Sequence, residues 1–261
     1  MPQQYEGVNP EAFLRDLLPA LRDPRYIRIN GRALLLVYRP ESIPDIARWA
    51  DCWRRMAKAE GVGDLYLCRV QSFSQDAPET IGFDAAVEFP PLGGLLERSL
   101  LSPADAAAVL GKDSSFQGML ADYPRFARLA AESAAPAFRR FRGVFPSWDN
   151  TPRRKHRALV FTGANPLDYE DWLTAALEHT VREQRGEERL VFINAWNEWA
   201  EGCHLEPDAV WSDRYLVATR AALARAVHVQ RVVENRMEGT EELLASRERA
   251  IRALSAELRA R

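Results

Sequence analysis

Cysteine is scarce in this sequence, which has three cysteines in 261 residues. Cys52, Cys68 and Cys203 are odd in number, far apart and without a C-x-x-C spacing, so they predict neither a disulfide framework nor a zinc site. The segment 204–208 alternates groups that can bind metals, but one histidine and two acids in a loop form a weak ligand set. We therefore predict no bound metal and no cofactor.

Long apolar runs are also missing. No run approaches the roughly 18 residues that a membrane-spanning helix needs, and residues 1–6 carry neither the basic nor the apolar part of a signal peptide. The net charge is −2, and no basic stripe typical of nucleic-acid binders stands out. A Gly-rich phosphate loop and a clear D-x-D motif, which a glycosyltransferase that uses nucleotide sugars would be expected to carry, are absent as well. We therefore expect a cytoplasmic protein with no membrane span and no nucleic-acid partner.

Strand-like and helical patterns alternate along the chain. Apolar runs end near residues 38, 70, 89, 148 and 196, and helical patterns cover 10–21, 42–59, 212–233 and a stretch that begins at Asn165-Pro166. Asn30-Gly31 predicts a type I′ turn between two strands. A strand, helix, strand rhythm predicts βα units and a parallel sheet, and hence an α/β fold. We predict one (β/α) domain over residues 1–232.

Residues 233–261 form a highly charged segment after that domain. Its apolar residues recur at heptad-like spacing: Leu244, Ile251, Leu254 and Leu258. We predict a C-terminal helical tail or linker, which either pairs with a partner helix or stays solvated, because it is short for an independent coiled coil.

The stretch 190–202 carries the strongest chemical signal. An apolar β-type run ends there in Trp196, Asn197, Glu198, Trp199 and Glu201. If the chain makes a helical turn after the strand, the two glutamates share a face, with about 5–6 Å between their Cβ atoms. Carboxyl groups at that range cannot ionise independently, so one serves as an acid and the other as a base. Cleavage of a glycosidic bond needs such a pair, and the two indoles offer flat faces for a sugar ring. A hydrated turn is the alternative.

Other candidate substrate-binding residues lie at or near strand ends: Tyr38, Glu88, Trp148, Asp149, Asn150 and His204. Several have a plainer alternative. His204 is predicted either to contact substrate or to hydrogen-bond to the residues that do. Glu88 fits a solvated strand end equally well, and Asp149 or Asn150 can lead an Asx turn. Arg153 belongs to a basic patch that is either solvated or able to bind an acidic or phosphorylated sugar.

The runs 192–208, 146–151 and 88–91 resemble the WbsX-type, glycoside hydrolase family 99-like proteins that occur with bacterial surface-polysaccharide genes. The resemblance covers roughly residues 10 to 225. It implies a (β/α)₈ barrel of the TIM type, and an enzyme that retains the anomeric configuration when it cleaves an α-mannoside. By this resemblance Glu198 is the base that activates the neighbouring sugar hydroxyl, and Glu201 is the general acid/base that protonates the leaving oxygen. The implied partner is an oligo- or polysaccharide.

Five strands do not close an eight-stranded barrel, so we expect a barrel that is incomplete at its N-terminal side, with a portion missing or encoded elsewhere. Two alternatives to glycoside cleavage stay open. Many WbsX-type members are described as glycosyltransferases, which indicates a role in lipopolysaccharide or O-antigen synthesis. A degenerate barrel that binds carbohydrate without catalysis is the other.

Overall fold

Five parallel strands, taken in chain order, form the central sheet of this protein. The computed structural model describes residue 5 and residues 7–71, 75–91, 94–111 and 115–259, with side chains of the last helix through residue 235 and at residue 247. Helices lie against the outer face of the sheet, which is open and curled like half of a barrel.

Within these ranges eight α-helices occur, numbered in chain order: α1 (Pro10–Leu21), α2 (Ile46–Ala59), α3 (Gly94–Ser99), α4 (Pro103–Leu110), α5 (Tyr123–Ala131), α6 (Thr151–Arg154), α7 (Pro166–Glu183) and α8 (Arg214–Arg259). The same part of the chain contains ten strands: β1 (Arg28–Ile29), β2 (Arg32–Tyr38), β3 (Leu65–Gln71), β4 (Ala85–Glu88), β5 (Met119–Asp122), β6 (Arg140–Val144), β7 (Leu159–Thr162), β8 (Val191–Ile193), β9 (Asn197–Glu198) and β10 (Cys203–His204).

The main sheet has the order β1-β2-β3-β4-β6-β8. Strand β1 pairs with β2 in the antiparallel direction, and the other pairings are parallel. The carboxyl ends of β2, β3, β4, β6 and β8 therefore lie on one rim. This confirms the predicted α/β fold with a parallel sheet, and the sheet does not close into a complete barrel among the described residues.

Two layers of apolar side chains hold the sheet. On the inner face, Leu34, Tyr66, Cys68, Val87 and Phe141 form one cluster. On the outer face, α1 and α2 cover β2 and β3 with a second cluster, and α5, α7 and α8 cover β6 with a third. Because the middle of β2 is apolar on both faces, this strand suits a sheet that is buried on both sides.

Local signals in the sequence explain several turns. Asn30 and Gly31 both have positive φ, at 51° and 74°, which confirms the type I′ turn predicted between β1 and β2. Asn165 caps α7 by accepting hydrogen bonds from the N–H groups of Leu167 and Asp168, as an Asn-Pro helix start predicts.

Some predicted boundaries were wrong. The strand expected to end at residue 148 ends at Val144, and the strand expected to end at residue 196 ends at Ile193. The helix expected from residue 42 begins at Ile46, after a short 3₁₀ turn over Pro40–Ser42. After β6 and before α2, apolar residues outside the regular elements are buried in loops: Phe145, Trp148 and Ile43.

Helix α8 runs without interruption across residue 233, the predicted boundary between domain and tail. Its buried residues recur at helical spacing against the third cluster: Tyr215, Ala218, Ala222 and Ala226. The predicted helical tail is thus the continuation of a packed helix. The side chains of Leu244, Ile251, Leu254 and Leu258, on which a partner helix was predicted to pack, lie outside the described residues.

Candidate active site

The two candidate catalytic glutamates lie on a small hairpin just beyond the carboxyl end of β8. Strands β9 and β10 pair in the antiparallel direction, with Glu198 opposite Cys203. A 3₁₀ turn over Trp199–Glu201 joins them, so the predicted helical turn between the glutamates is confirmed. Glu198 directly precedes this turn and Glu201 is its last residue, and the two carboxylates are close enough for the negative charge of Glu198 to raise the pKa of Glu201.

Gly202 closes this turn and needs to be glycine. Its φ is +57°, and a Cβ there would lie 2.9 Å from both the backbone N and the backbone O of Asp149. The hydroxyl of Ser147 donates to the Gly202 carbonyl at 2.5 Å, and the N–H of Asp149 donates to the Glu201 carbonyl at 2.8 Å. The loop after β6 therefore holds the turn that carries the glutamates.

Cys203 anchors the other side of the hairpin. Its side chain is fully buried, and its Sγ donates to the carbonyl of Asn194 at 2.6 Å. Burial raises the pKa of the Cys203 thiol far above its ordinary value, so the thiol stays protonated and serves as a packing group.

Glu201 has the electrostatic setting of a proton donor. Burial raises the pKa of its carboxyl group, the positive charge of Arg153 opposes that rise, and the negative charge of Glu198 adds to it. The Nη1 of Arg153 lies 2.5 Å from Oε1 of Glu201. A carboxyl group with a raised pKa keeps its proton closer to neutral pH, as a general acid must.

Two exposed indoles flank the glutamates. Trp196 is 54% exposed and Trp199 is 49% exposed, which is unusual for the largest apolar side chain. Trp199 stacks on His204 with 3.7 Å between ring centroids, and its Nε1 donates to Oε2 of Glu206 at 2.6 Å. Trp199 is thus held in a fixed orientation while half of its surface stays open.

His204 lies beneath Trp199, with its side chain only 12% exposed. Its Nε2 is 3.3 Å from Oδ2 of Asp208. Because the indole covers the ring, the position of His204 suits hydrogen bonding behind the substrate-contacting residues, and its direct contact with substrate stays a prediction.

Asp149 leads the predicted Asx turn, whereas Asn150 accepts a hydrogen bond from a more distant part of the backbone. Oδ1 of Asp149 accepts from the N–H of Thr151 at 2.9 Å, which is an Asx turn, and Oδ1 of Asn150 accepts from the N–H of Leu159 at 2.8 Å. Asp149 remains exposed beside the glutamate hairpin, so a further role in sugar binding stays a prediction.

Trp148 is only 7% exposed and belongs to the apolar cluster under α5 and α7. Its ring packs edge-on against Phe145, at 6.3 Å between centroids. The prediction that its face stacks on a sugar is wrong for this conformation, because both faces are covered by the core.

Glu88 lies away from the hairpin. Its Oε1 is 2.8 Å from Arg140 and 3.1 Å from Arg142, and its Oε2 accepts from the N–H of Gly143. These partners hold the Glu88 carboxylate at the outer face of the sheet, so Glu88 is ion-paired, and its role in binding substrate stays a prediction.

Tyr38 does lie on the rim, at the end of β2. It is 48% exposed and packs edge-on against Phe89, at 5.6 Å between centroids. Below it, strand ends enclose an inner cavity of about 140 Å³. Its lining includes Leu36, Val70, Phe89, Pro90, Phe192 and Asn194.

Arg153 and Glu206 are the site residues that the sequence did not single out as partners of Glu201 and Trp199. The contact between Arg153 and Glu201 spans 48 positions, and nothing in a basic run identifies which of its members turns toward a carboxylate. In the described part of the chain, no cluster of three or more His, Cys, Asp and Glu side chains is arranged to bind a metal ion. Every helix in that part is too short or too polar to cross a lipid bilayer.

The central sheet and its helices are similar to two solved structures. One is described as a glycoside hydrolase-like protein, with a TM-score of 0.53 and 15% identity over 81% of this chain and 60% of that one. The other is the GH99 endo-alpha-mannosidase from Bacteriodes thetaiotaomicron in complex with BIS-TRIS-Propane, with a TM-score of 0.52 and 17% identity over 86% of this chain and 68% of that one. At these identities the likeness concerns the fold.

Sequence relatives are closer. The chain is 39% identical over 227 residues to two proteins named Uncharacterized protein WxcX, from Xanthomonas campestris pv. campestris strains ATCC 33913 and B100. The match covers 87% of this chain and 32% of each relative, so the chain spans about a third of their length. The profile of the family described as Glycosyltransferase WbsX matches residues 1–219, and the chain therefore belongs to the WbsX glycosyltransferase family.

Proposed function

We propose that this protein is a carbohydrate-active enzyme that acts on a glycosidic bond, with Glu198 and Glu201 as the catalytic pair. The observation that carries the proposal is the hairpin beyond β8, which sets two carboxylates on either end of one 3₁₀ turn. Membership of the WbsX family and a fold shared with glycoside hydrolase-like structures support the same chemistry.

Glu201 is proposed as the general acid/base. Its raised pKa keeps a proton available for the leaving oxygen as the glycosidic C–O bond breaks. Glu198, on the preceding strand, is proposed as the base that takes the proton of the neighbouring sugar hydroxyl, whose oxygen then attacks the anomeric carbon. In the second step Glu201 takes the proton of an incoming water or sugar hydroxyl, whose oxygen attacks the anomeric carbon. The bond between that carbon and the neighbouring sugar oxygen then breaks, and Glu198 returns its proton to this oxygen, so both carboxyl groups regain their starting states.

The substrate is proposed to be an oligo- or polysaccharide that lies across the rim of the sheet. Trp196 and Trp199 present open apolar faces beside the glutamates, and sugar rings stack on such faces. Tyr38 lies on the same rim. The inner cavity, about 140 Å³ in volume, then accommodates only part of one sugar unit, so most of the chain would lie on the surface.

The direction of the chemistry separates two candidates. The family description favours transfer, in which a sugar hydroxyl replaces water as the second nucleophile. The fold likeness to an endo-alpha-mannosidase favours hydrolysis. Both use the same pair of glutamates, so product analysis with and without an acceptor sugar distinguishes them: a longer glycan indicates transfer, and a new reducing end indicates hydrolysis.

The test uses Glu198→Gln and Glu201→Gln made separately, with Glu79→Gln as the matched control. Glu79 is exposed and precedes β4 at the opposite end of the sheet. Turnover of fluorescently labelled α-mannan oligosaccharides and bacterial polysaccharides is measured for each protein. We expect each site variant to lose about 10²–10⁴-fold in kcat/KM and the control to match the parent.

Activity within a few-fold of the parent in both site variants would remove the catalytic assignment. A parent that binds these glycans without turning any of them over, with binding unchanged in the double variant, would instead favour the non-catalytic alternative.

A further inference from the structure

A row of polar side chains crosses the outer face of the sheet, where helices cover it. The register pairs Gln71 with Glu88, and Ala86 with Arg140. Alternation along each strand then places Arg69, Gln71, Glu88, Arg140 and Arg142 on one face. The opposite face of the same strands holds Cys68, Val87 and Phe141 in the inner cluster. Helix-covered sheet faces are normally apolar, so this row is exceptional.

Three members of this row, Gln71, Glu88 and Arg140, line a cavity of about 250 Å³ between the sheet and helices α3, α5 and α7. Its lining includes Gln71, Glu88, Leu95, Phe126, Arg140 and Trp172. The space is separate from the glutamate hairpin, none of whose residues is among the lining residues. It is also larger than the inner cavity on the other face of the sheet.

Gln71 has polar atoms without partners in this cavity. The residue is 2% exposed, and neither Oε1 nor Nε2 has a hydrogen-bond partner among the described residues. Nε of Arg140 is likewise buried and unpartnered there. Buried polar atoms are almost always hydrogen-bonded, and leaving one without a partner is unfavourable. Two donors and one acceptor thus remain to be satisfied by something inside the cavity.

The row also carries an excess of positive charge. Arg140 and Arg142 share Oε1 of one carboxylate, that of Glu88. Arg142 is further satisfied by the hydroxyl and carbonyl of Ser133. Arg140 has less support: burial lowers the pKa of its guanidinium, Glu88 opposes this, and Arg142 adds to it. A second anion beside Arg140 would compensate its charge.

We propose that this outer cavity is a binding site for a small hydroxylated organic anion, a sugar acid or sugar phosphate of monosaccharide size. Its carboxylate or phosphate oxygens accept from Nε of Arg140 and from Nε2 of Gln71. A ligand hydroxyl donates to Oε1 of Gln71. The rings of Phe126 and Trp172 form the apolar wall against which the ligand body packs. This inference does not depend on the proposed catalytic pair.

The experiment is titration calorimetry of the 261-residue chain with glucuronate, glucose 1-phosphate and neutral glucose. We expect saturable binding of at least one of the two anions and none of glucose, and the anion that binds identifies the acidic group. Gln71→Leu removes the amide at nearly constant volume, and we expect at least a tenfold loss of affinity. Arg140→Gln is expected to weaken binding at least as much.

Gln117→Leu and Arg153→Gln are the controls. Gln117 is exposed and outside the cavity, and Arg153 belongs to the exposed basic patch, where anions could also collect. Both variants should bind like the parent. Gln71→Leu should unfold at the same temperature as the parent or higher, because its amide makes no hydrogen bond in the chain. Should Arg140→Gln fail to fold, Gln71→Leu decides alone.

Three results would overturn the proposal: no binding of either anion at millimolar concentration, equal affinity in the parent and Gln71→Leu, or loss of binding in Arg153→Gln. The first would mean that the cavity holds only water. The last would place the anion beside Glu201.

Discussion

Replacing Gly202 with alanine tests whether the glutamate hairpin depends on its close approach to Asp149. Gly202 has φ of +57°, and an added Cβ would lie 2.9 Å from the backbone N and O of Asp149. Gly186 is a matched control: its φ is +53°, and an added Cβ would meet no atom within 4 Å. Both glycines follow or begin a short 3₁₀ turn, so the two substitutions differ mainly in the contact.

The expected magnitudes follow from that difference. A left-handed conformation costs a non-glycine residue about 1–2 kcal/mol, and this is the whole expected effect of Gly186→Ala on the free energy of unfolding. Gly202→Ala is expected to lower the free energy of unfolding by the same amount and, because the backbone N and O of Asp149 must also be displaced, by about 1–3 kcal/mol more, as in other cases of overpacking. Because Asp149 donates to the Glu201 carbonyl, the displacement also moves the proposed general acid/base, and a shift of a catalytic group near 1 Å lowers turnover about 10²-fold.

The assay is urea denaturation of the parent and both variants, together with kcat/KM on whichever labelled glycan the parent turns over. We expect Gly202→Ala to be the less stable of the two and to lose activity, while Gly186→Ala keeps the activity of the parent. Equal destabilisation by both substitutions, with activity unchanged in both, would refute the idea that the contact with Asp149 positions the hairpin.

Three further outcomes are expected. In Arg153→Gln the pKa of Glu201 rises further, because the lost cation favoured the charged carboxylate. An NMR titration of the carboxyl group measures this rise directly, and the basic limb of the pH–rate profile should move to higher pH. A shift to lower pH would contradict the prediction. Ser147→Ala leaves the Gly202 carbonyl without its donor and lowers the free energy of unfolding by about 1 kcal/mol, measured by urea denaturation. Asn165→Ala removes the cap of α7 and costs about 1 kcal/mol without changing kcat/KM, which thermal unfolding and the glycan assay check together.

Local patterns in the sequence were sufficient where one residue type dictates the backbone. Asn30-Gly31 predicted a turn with two positive φ angles, and Asn165 predicted the start of a helix, because each depends on neighbours within four positions. The turn between Glu198 and Glu201 was predictable for the same reason, since Gly202 directly follows it and supplies the left-handed conformation that ends it.

Long-range packing determines the features of the fold and the site that the sequence did not predict. Phe145 and Trp148 look like the end of a strand, yet they pack under α5 and α7 as a loop, and only the position of those helices determines this. Strands β5 and β7 were not predicted at all, because four-residue strands are too short to show a clear alternation. The pairing of Glu88 with Arg140 and Arg142 joins positions more than fifty apart, so no local signal separated it from a substrate-facing carboxylate.

Phe89 and Pro90 form a wall with a cavity on each side, since they line both the inner cavity and the outer one. Phe89 also packs against Tyr38 on the rim. Occupants of the two spaces that shift this shared wall are thermodynamically linked, and the factor by which one changes the affinity of the other is the same in both directions. Through Phe89 and Pro90, which follow β4, binding on one side of the sheet can therefore change the affinity of a site on the other side.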